Sequence, residues 1–365
     1  MQIANVVRLP TKSPDDVSSL EQLIQNGTLN PAEIRAIIAQ TEGDGFARGF
    51  GLRALSDVLS THLRLTREEV QARIPMLMIG MTAGVLSPHI NVLLSRESPD
   101  QGTGQKRLAF GICVTRPILP EEYGTRTQME LVADATRKAM AEARIAEVAD
   151  VHCVEVKAPQ LTPSRIQDAR SRSVTLRTAN IAESGALSRG ASALGVAMGL
   201  GEVNPDRLTT EVVCRDWTLY SNVASTSSGS EQIGCKVIVM GNSPHSGGNL
   251  IIGHSVMSDT LDLSGAVQAF RSVGLRCEDG YLSPAERERV AAVFVNAGAN
   301  GTGLTRGRRH TMLSDYLWSY SGSIAKALAN VVVGSVLGDS MFLTSAGYEH
   351  QGPLEANLVA VVART

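Results

Sequence analysis

The chain has 365 residues, of which 43% are hydrophobic and 19% charged, and its formal net charge at pH 7 is −2. This length and composition predict a globular protein of two or three units and argue against an intrinsically disordered chain. The near-neutral charge gives no support for binding nucleic acid or an anionic membrane surface.

Cysteine use and the N-terminus favour a cytoplasmic protein with reduced thiols. The five cysteines are widely spaced and form no CxxC pair, and no charged leader followed by an apolar stretch opens the chain. No segment is long and apolar enough to predict a membrane-spanning helix.

Helical and strand patterns alternate along the whole chain, which predicts an α/β protein. The predicted elements are, in chain order, a helix over 18–25, a helix-to-strand passage over 31–40, an N-capped helix from Thr66, strands over 76–79, 90–94 and 108–114, a helix over 128–143, strands over 151–156, 236–240 and 250–257, helices over 265–273 and 283–290, and a strand over 358–362.

Two segments rich in glycine, serine, proline or charge, 95–107 and 241–248, have the composition of linkers. They divide the chain into three predicted units, 1–103, 107–243 and 249–365.

One pattern occurs once in each unit: an apolar strand, an arginine that begins a small-residue helix, and a later strand that ends in small or hydroxyl residues. The first strand ends, in the three copies, at Gln40, Lys157 and Asn296. The later strand carries Ile79, Ser227 and Ser345. Three such α/β units predict a fold with a pseudo-threefold axis and a central pocket lined by these positions.

Only the middle copy combines a lysine with a serine, and such a pair can act as base and nucleophile. Burial and neighbouring cations would lower the pKa of Lys157 and make its amine available for a proton. Two structural interpretations remain open: Lys157 can extend its amine to water, and the hydroxyl-rich run around Ser227 can be a solvated turn. Ser225 lies one strand period earlier and is the alternative nucleophile.

Arg48, Arg189 and Arg309 occupy the arginine position of the three copies. A single arginine there would more often form a structural salt bridge, but three equivalent ones indicate a ligand with several similar oxygens. The seven histidines show no metal-ligand spacing, and the glycine-rich stretches lack the Lys-Ser/Thr of a P-loop, so neither a catalytic metal nor a nucleotide cofactor is expected.

The chain resembles the cyanuric acid hydrolase and barbiturase family of ring-opening amidohydrolases. The resemblance lies in the segments TEG (41–43), FARGF (46–50), GVLSPH (84–89), LPEE (119–122), VKAP (156–159), LTP (161–163), ARSR (169–172), SRGASALG (188–195), RHTMLSD (309–315) and EHQGP (349–353). It implies three related units around one active site, with hydrolysis of cyclic imides without a catalytic metal. It further implies Lys157 as base, Ser227 as nucleophile, and ring contacts from Arg48, Arg189, Arg309, Gly80, Ser228, Ser345 and Ala346.

Departures from the family pattern, in which each unit carries a Ser–Lys pair, refine that expectation. Gln40 and Ile79 replace the first pair, and Asn296 replaces the third lysine. The pocket should be less positive and less symmetric, which favours a less symmetric cyclic amide or imide as substrate. Gly298 replaces an expected acidic residue, and LEAN (354–357) replaces a glycine-rich run, which disfavours a structural divalent cation near 351–353.

The sequence therefore predicts a homo-oligomeric enzyme that opens a small cyclic amide or imide, such as cyanuric acid, a barbiturate or a related heterocycle. The alternative is a non-catalytic relative that binds a small cyclic molecule after losing two of the three pairs.

Overall fold

The computed structural model describes residues 1–43, 45–80, 84–99, 104–299, 302–312 and 321–365. Its strands are β1 (Gln2–Pro10), β2 (Ile34–Gln40), β3 (Met76–Ile79), β4 (His89–Glu97), β5 (Arg107–Val114), β6 (Val151–Pro159), β7 (Ala224–Gly229), β8 (Lys236–Ser243), β9 (Ser246–Gly247), β10 (Leu250–Met257), β11 (Cys277–Glu278), β12 (Tyr281–Leu282), β13 (Val290–Ala297), β14 (Leu304–Thr305), β15 (Arg308–Arg309), β16 (Leu343–Ala346) and β17 (Asn357–Arg364). Its α-helices are α1 (Ser18–Gln25), α2 (Gly45–Leu63), α3 (Arg67–Arg73), α4 (Arg126–Glu142), α5 (Pro163–Ser171), α6 (Ile181–Leu200), α7 (Leu263–Arg271), α8 (Pro284–Glu288), α9 (Ser321–Leu337) and α10 (Tyr348–Gln351).

Three of the sheets share one strand order. They run β3-β2-β4-β1, β7-β6-β8-β5 and β16-β13-β17-β10, and the first sheet is extended at its edge by β9. In each sheet the first pair is parallel and the next two pairs are antiparallel. Each also has a register irregularity at the start of the second strand, at Ile34/Ala36, Val151/Cys153 and Val290/Ala292. The predicted three-unit α/β fold is confirmed.

The sheets pack face to face, and the helices cover their outer faces. One apolar cluster draws residues from all three sheets, among them Ile38, Phe110 and Phe294, so the sheets share a central core. Separate clusters form beneath the helices of each unit, for example around Leu59, Val196 and Val333. Strands buried on both faces read as continuous apolar runs, and β13 is buried at all eight positions.

Several local predictions are confirmed closely. The helix predicted over 18–25 is α1, and residues 31–33 form a short 3₁₀ turn before β2. Thr66 caps α3, accepting a hydrogen bond from the backbone N–H of Glu69 while the Glu69 carboxylate accepts one from the N–H of Thr66.

Other predictions need correction. Residues 241–243 complete β8 and residues 246–247 form β9 against β1, because the polar side chains of the predicted linker satisfy sheet-edge and turn hydrogen bonds. Neither β1 nor α9 was predicted. Among the described residues no helix has the length and apolar character needed to cross a membrane.

Candidate active site

The repeated positions are paired across neighbouring parallel strands in all three units. Gln40 on β2 is opposite Ile79 on β3, Lys157 on β6 is opposite Ser227 on β7, and Asn296 on β13 is opposite Ser345 on β16. All three pairs lie at the carboxyl ends of their parallel strands, where α/β proteins commonly bind ligands. Contacts of β16 with β2, β3 and β7 bring these ends together.

Lys157 is almost entirely buried, with 1% of its surface exposed. Its Nζ donates a hydrogen bond to the backbone carbonyl of Ser228 at 3.2 Å and lies 3.6 Å from the Glu231 carboxylate. Burial lowers the pKa of Lys157 to about 8, Glu231 opposes this shift, and Arg48 and Arg189 add to it. The amine is therefore neither solvated nor fixed permanently in its charged form.

Ser227 is buried next to Lys157, and its Oγ has no hydrogen-bond partner among the described residues. Adjacent strands lie about 4.8 Å apart, so register pairing places the two residues side by side. Ser225 is also buried, but its register partner is Glu155 and not the lysine. The geometry thus pairs the base candidate with Ser227.

Arg189 and Ser228 form the next contact outward from the pair. Arg189 Nη1 donates to Ser228 Oγ at 2.9 Å, and this hydroxyl also lies 3.4 Å from the Gln160 Oε1. The guanidinium of Arg189 is thus bound to the side chain of the residue that follows Ser227.

Arg48 approaches the same region from the first unit. It lies in the first turn of α2, and its Nη1 would lie 2.6 Å from a Cβ at Gly80, so only glycine leaves room for it there. Its Nε faces the Glu231 carboxylate at 3.5 Å.

The third cation of this arrangement is Lys326, not Arg309. Lys326 lies in α9, is 5% exposed, and donates from Nζ to the carbonyl of Gly80 at 2.9 Å. Arg309 lies in the β14–β15 hairpin and is exposed. The prediction that Arg309 begins a helix is wrong, because the chain turns back at Arg306 and Gly307, both with positive φ, to form that hairpin. Arg189 likewise lies in the middle of α6 and does not begin it.

The two remaining strand-end pairs hold units together. Gln40 Oε1 accepts a hydrogen bond from the backbone N–H of Thr344 in the third unit at 2.8 Å. Asn296 Nδ2 donates to the carbonyl of Ala224 at 3.1 Å, and Ser345 Oγ donates to the carbonyl of Thr226 at 2.9 Å, both in the second unit. Ile79 is buried in the shared core. Ala346, which follows Ser345, is half-buried at the end of β16.

Sequence reasoning missed two acidic residues here. Glu231 lies between Lys157 and Arg48; burial would raise its pKa, but the two cations bring it below its usual value. Glu155 is fully buried two residues before Lys157, and burial raises its pKa to about 8. A signal existed for the first, since Glu231 recurs as Glu349 when the two copies are aligned; the side chain of Glu349 is outside the described part of the chain.

The side chains described near 351–353 bind backbone groups. Gln351 Nε2 donates to the carbonyls of Asp216 and Leu219, and its Oε1 accepts from the backbone N–H of Cys214. The backbone N–H of Gly298 donates to Asn357 Oδ1 at 3.0 Å. These side chains hold backbone, and the described residues contain no cluster of three His, Cys, Asp or Glu able to bind a metal. Positions 313–315 of the RHTMLSD segment are outside the described residues.

The structure is that of an α/β protein with three similar units and a buried lysine–serine pair. Comparison with known proteins shows the family to which it belongs. A solved cyanuric acid hydrolase, described as an evolutionary innovation by structural concatenation, superposes with a TM-score of 0.94 and 41% identity over the whole of both chains. A solved cyanuric acid hydrolase from A. caulinodans gives 0.89 and 38%, again over both whole chains.

The sequence comparisons agree with the structural ones. A cyanuric acid amidohydrolase of Enterobacter cloacae is 43% identical over 369 residues, covering 99% of each chain. A cyclic amide hydrolase of Azorhizobium caulinodans is 44% identical over 364 residues, covering 98% of each. The model of the amidohydrolase ring-opening protein family matches residues 5–364. The chain belongs to this family of hydrolases.

Proposed function

We propose that this protein hydrolyses a C–N bond in a small cyclic amide or imide, with Ser227 as nucleophile and Lys157 as base. The observation that carries the proposal is the side-by-side burial of an amine with a pKa of about 8 and a serine hydroxyl that has no hydrogen-bond partner among the described residues. Family membership and relatives named for cyanuric acid and cyclic amides support the reaction class.

In the first half-reaction the neutral amine of Lys157 takes the proton of Ser227 Oγ while Oγ bonds to a ring carbonyl carbon. The carbonyl π electrons move to oxygen, and this oxyanion is stabilised by Arg189 and by backbone N–H groups beyond Ser227. The C–N bond then breaks, and the ring nitrogen takes its electron pair and the proton from Lys157. An ester on Ser227 results, with the ring open.

In the second half-reaction water replaces the ring nitrogen. Lys157 takes a proton from water as its oxygen bonds to the ester carbon, and the proton passes to Ser227 Oγ when the ester bond breaks. At pH 7 about a tenth of a lysine population with a pKa near 8 is neutral, so the base is available without a metal. Base assistance of this kind contributes about 10²- to 10⁴-fold.

The substrate we propose is a ring less symmetric than cyanuric acid. A threefold-symmetric ring presents three identical edges, whereas only the second unit carries a lysine–serine pair. At the equivalent positions of the other two units, Gln40, Asn296 and Ser345 bind backbone groups of neighbouring units, and Ile79 lies in the shared core. A panel of cyclic amides and imides assayed by loss of ring absorbance tests this, and best turnover of cyanuric acid would contradict it.

The Ser227→Ala variant tests the nucleophile and separates the enzyme from a non-catalytic binding protein. We expect turnover to fall by about four orders of magnitude or more while the variant still binds the ring, because removal of one member disables the whole unit. Ser225→Ala is the matched control, since it removes a buried hydroxyl one strand period away. If Ser227→Ala keeps full turnover and Ser225→Ala loses it, the nucleophile is Ser225. If the wild-type protein binds these rings but does not hydrolyse them, the alternative of a non-catalytic binding protein is correct.

A further inference from the structure

Glu231 is a partly buried carboxylate in the site that the reaction above does not use. Its side chain folds back over Gly229 so closely that a Cβ on this glycine would clash with both carboxylate oxygens. Glu231 Oε1 faces Lys157 Nζ at 3.6 Å and is 3.5 Å from Gln232 Nε2, whereas Oε2 faces Arg48 Nε at 3.5 Å. The carboxylate is thus fixed between the base and a guanidinium.

One half of this arrangement is incomplete. Arg48 Nε and Glu231 Oε2 are both buried, and neither has a hydrogen-bond partner among the residues that the structure describes, although they lie close enough to attract each other. Buried polar groups are rarely left in this state, since each costs about 1–3 kcal/mol. The pair therefore leaves one donor and one acceptor unsatisfied, 3.5 Å apart and next to the base.

A ring amide has the complementary edge. Its carbonyl oxygen accepts, the N–H beside it donates, and oxygen and nitrogen are about 2.3 Å apart by standard bond lengths. Such an edge can form two roughly parallel hydrogen bonds with a donor and an acceptor that lie 3.5 Å apart. A carboxylate only accepts and a guanidinium only donates, so the orientation of the edge is determined.

We propose that Glu231 is a specificity determinant whose Oε2 accepts a hydrogen bond from the ring N–H next to the carbonyl bound by Arg48. This inference rests on the proposed function and makes it more specific: the substrate class is a cyclic amide or imide with at least one unsubstituted N–H beside a carbonyl. A ring that is alkylated on every nitrogen keeps all its acceptors but supplies no hydrogen-bond donor to Glu231 Oε2.

The test compares the affinity of cyanuric acid with that of its 1,3,5-trimethyl derivative, which lacks every N–H. Equilibrium binding is measured in the Ser227→Ala background, so that turnover does not interfere. We expect a strong preference for the unmethylated ring that shrinks at least tenfold in Glu231→Ala, with a smaller reduction in Glu231→Gln. Gly229→Ala keeps the carboxylate but displaces it, and the preference should shrink there too, which guards against a folding defect in one variant.

Glu155→Gln is the matched control, because it alters a buried carboxyl group on the neighbouring strand and should leave the preference unchanged. If the Glu231 variants change the affinity for both rings by the same factor, or fail to narrow the preference, Glu231 is only a counter-ion and the proposal is wrong. Failure of the proposed nucleophile has a different signature, since Ser227→Ala would then continue to open the ring whatever the binding preference.

Discussion

The Lys157–Ser227 pair and the Asn296–Ser345 pair occupy the same register position in two units with the same strand order, yet they differ in what their side chains contact. Asn296 Nδ2 and Ser345 Oγ donate to backbone carbonyls of the neighbouring β7. Ser227 Oγ has no partner in the described structure, and the Lys157 pKa is lowered by burial. Asn296 Oδ1 also lacks a partner in the described structure, so the pairs differ in chemistry: an amine can accept a proton, whereas an amide does not act as a base.

The Gln40–Ile79 pair extends this comparison to the first unit. Its glutamine accepts from the backbone of β16, and its isoleucine joins the core shared by the sheets. Amide side chains suit such a role because they carry both a donor and an acceptor without a charge to desolvate. In this chain, two of the three positions thus form contacts between units.

The sharpest way to break this comparison is to make the same substitution at two equivalent positions. In Lys157→Met, kcat should fall by about 10⁴-fold or more, because the base is lost. Folding stability reflects two opposed contributions, since an ammonium no longer has to be buried but Glu231 loses one of its two cations. Steady-state kinetics and urea unfolding measure the two effects.

Gln40→Met is the control for that substitution. It leaves the N–H of Thr344 without its acceptor and should cost about 1–3 kcal/mol of stability with little change in kcat. A loss of kcat as large in Gln40→Met as in Lys157→Met would mean that the first unit takes part in the chemistry.

The pH dependence of kcat/KM sharpens the assignment of Lys157 as base. Its pKa lies below the usual lysine value, at about 8, so the neutral reactive form increases as pH rises towards 8 and dominates above it. Below pH 8, kcat/KM should therefore rise about tenfold per pH unit, and above pH 8 it should level off. The ionisation of the substrate is titrated separately and corrected for.

If Glu231 were the base instead of Lys157, the pH profile would have a different shape. Glu231, whose pKa lies below its usual value, would already be ionised at neutral pH. An acid limb below the usual glutamate range, with a flat profile through pH 8, would indicate a carboxylate base and would contradict the role of Lys157.

How far the sequence could predict this site depends on which part of the chain sets each position. The register pairing of the strand-end residues could be predicted because strands have a fixed period and the units repeat. Lys326 was missed because its approach to Gly80 depends on where α9 packs, which the local sequence does not show. Arg309 was chosen because its local sequence resembles that of the other two arginines, but it lies in a hairpin. The position of Glu231 depends on a side chain that folds over Gly229, and no sequence pattern encodes that conformation.

The smallest expected effect concerns Asn296, as a test of whether the third unit contributes only support. Asn296→Leu removes the bond to the carbonyl of Ala224 on the strand that carries Ser227, and should cost about 1–3 kcal/mol with kcat within about threefold of wild type. Asn242→Leu is the matched control, because Asn242 also joins two units through backbone hydrogen bonds, to Ile252. Urea unfolding should show a loss for both variants, and the larger one for Asn242→Leu, because Asn242 makes two of these hydrogen bonds and Asn296 makes one. If turnover instead drops by about two orders of magnitude or more in Asn296→Leu alone, at retained stability, its amide reaches the substrate, since a support role predicts similar turnover in the two variants.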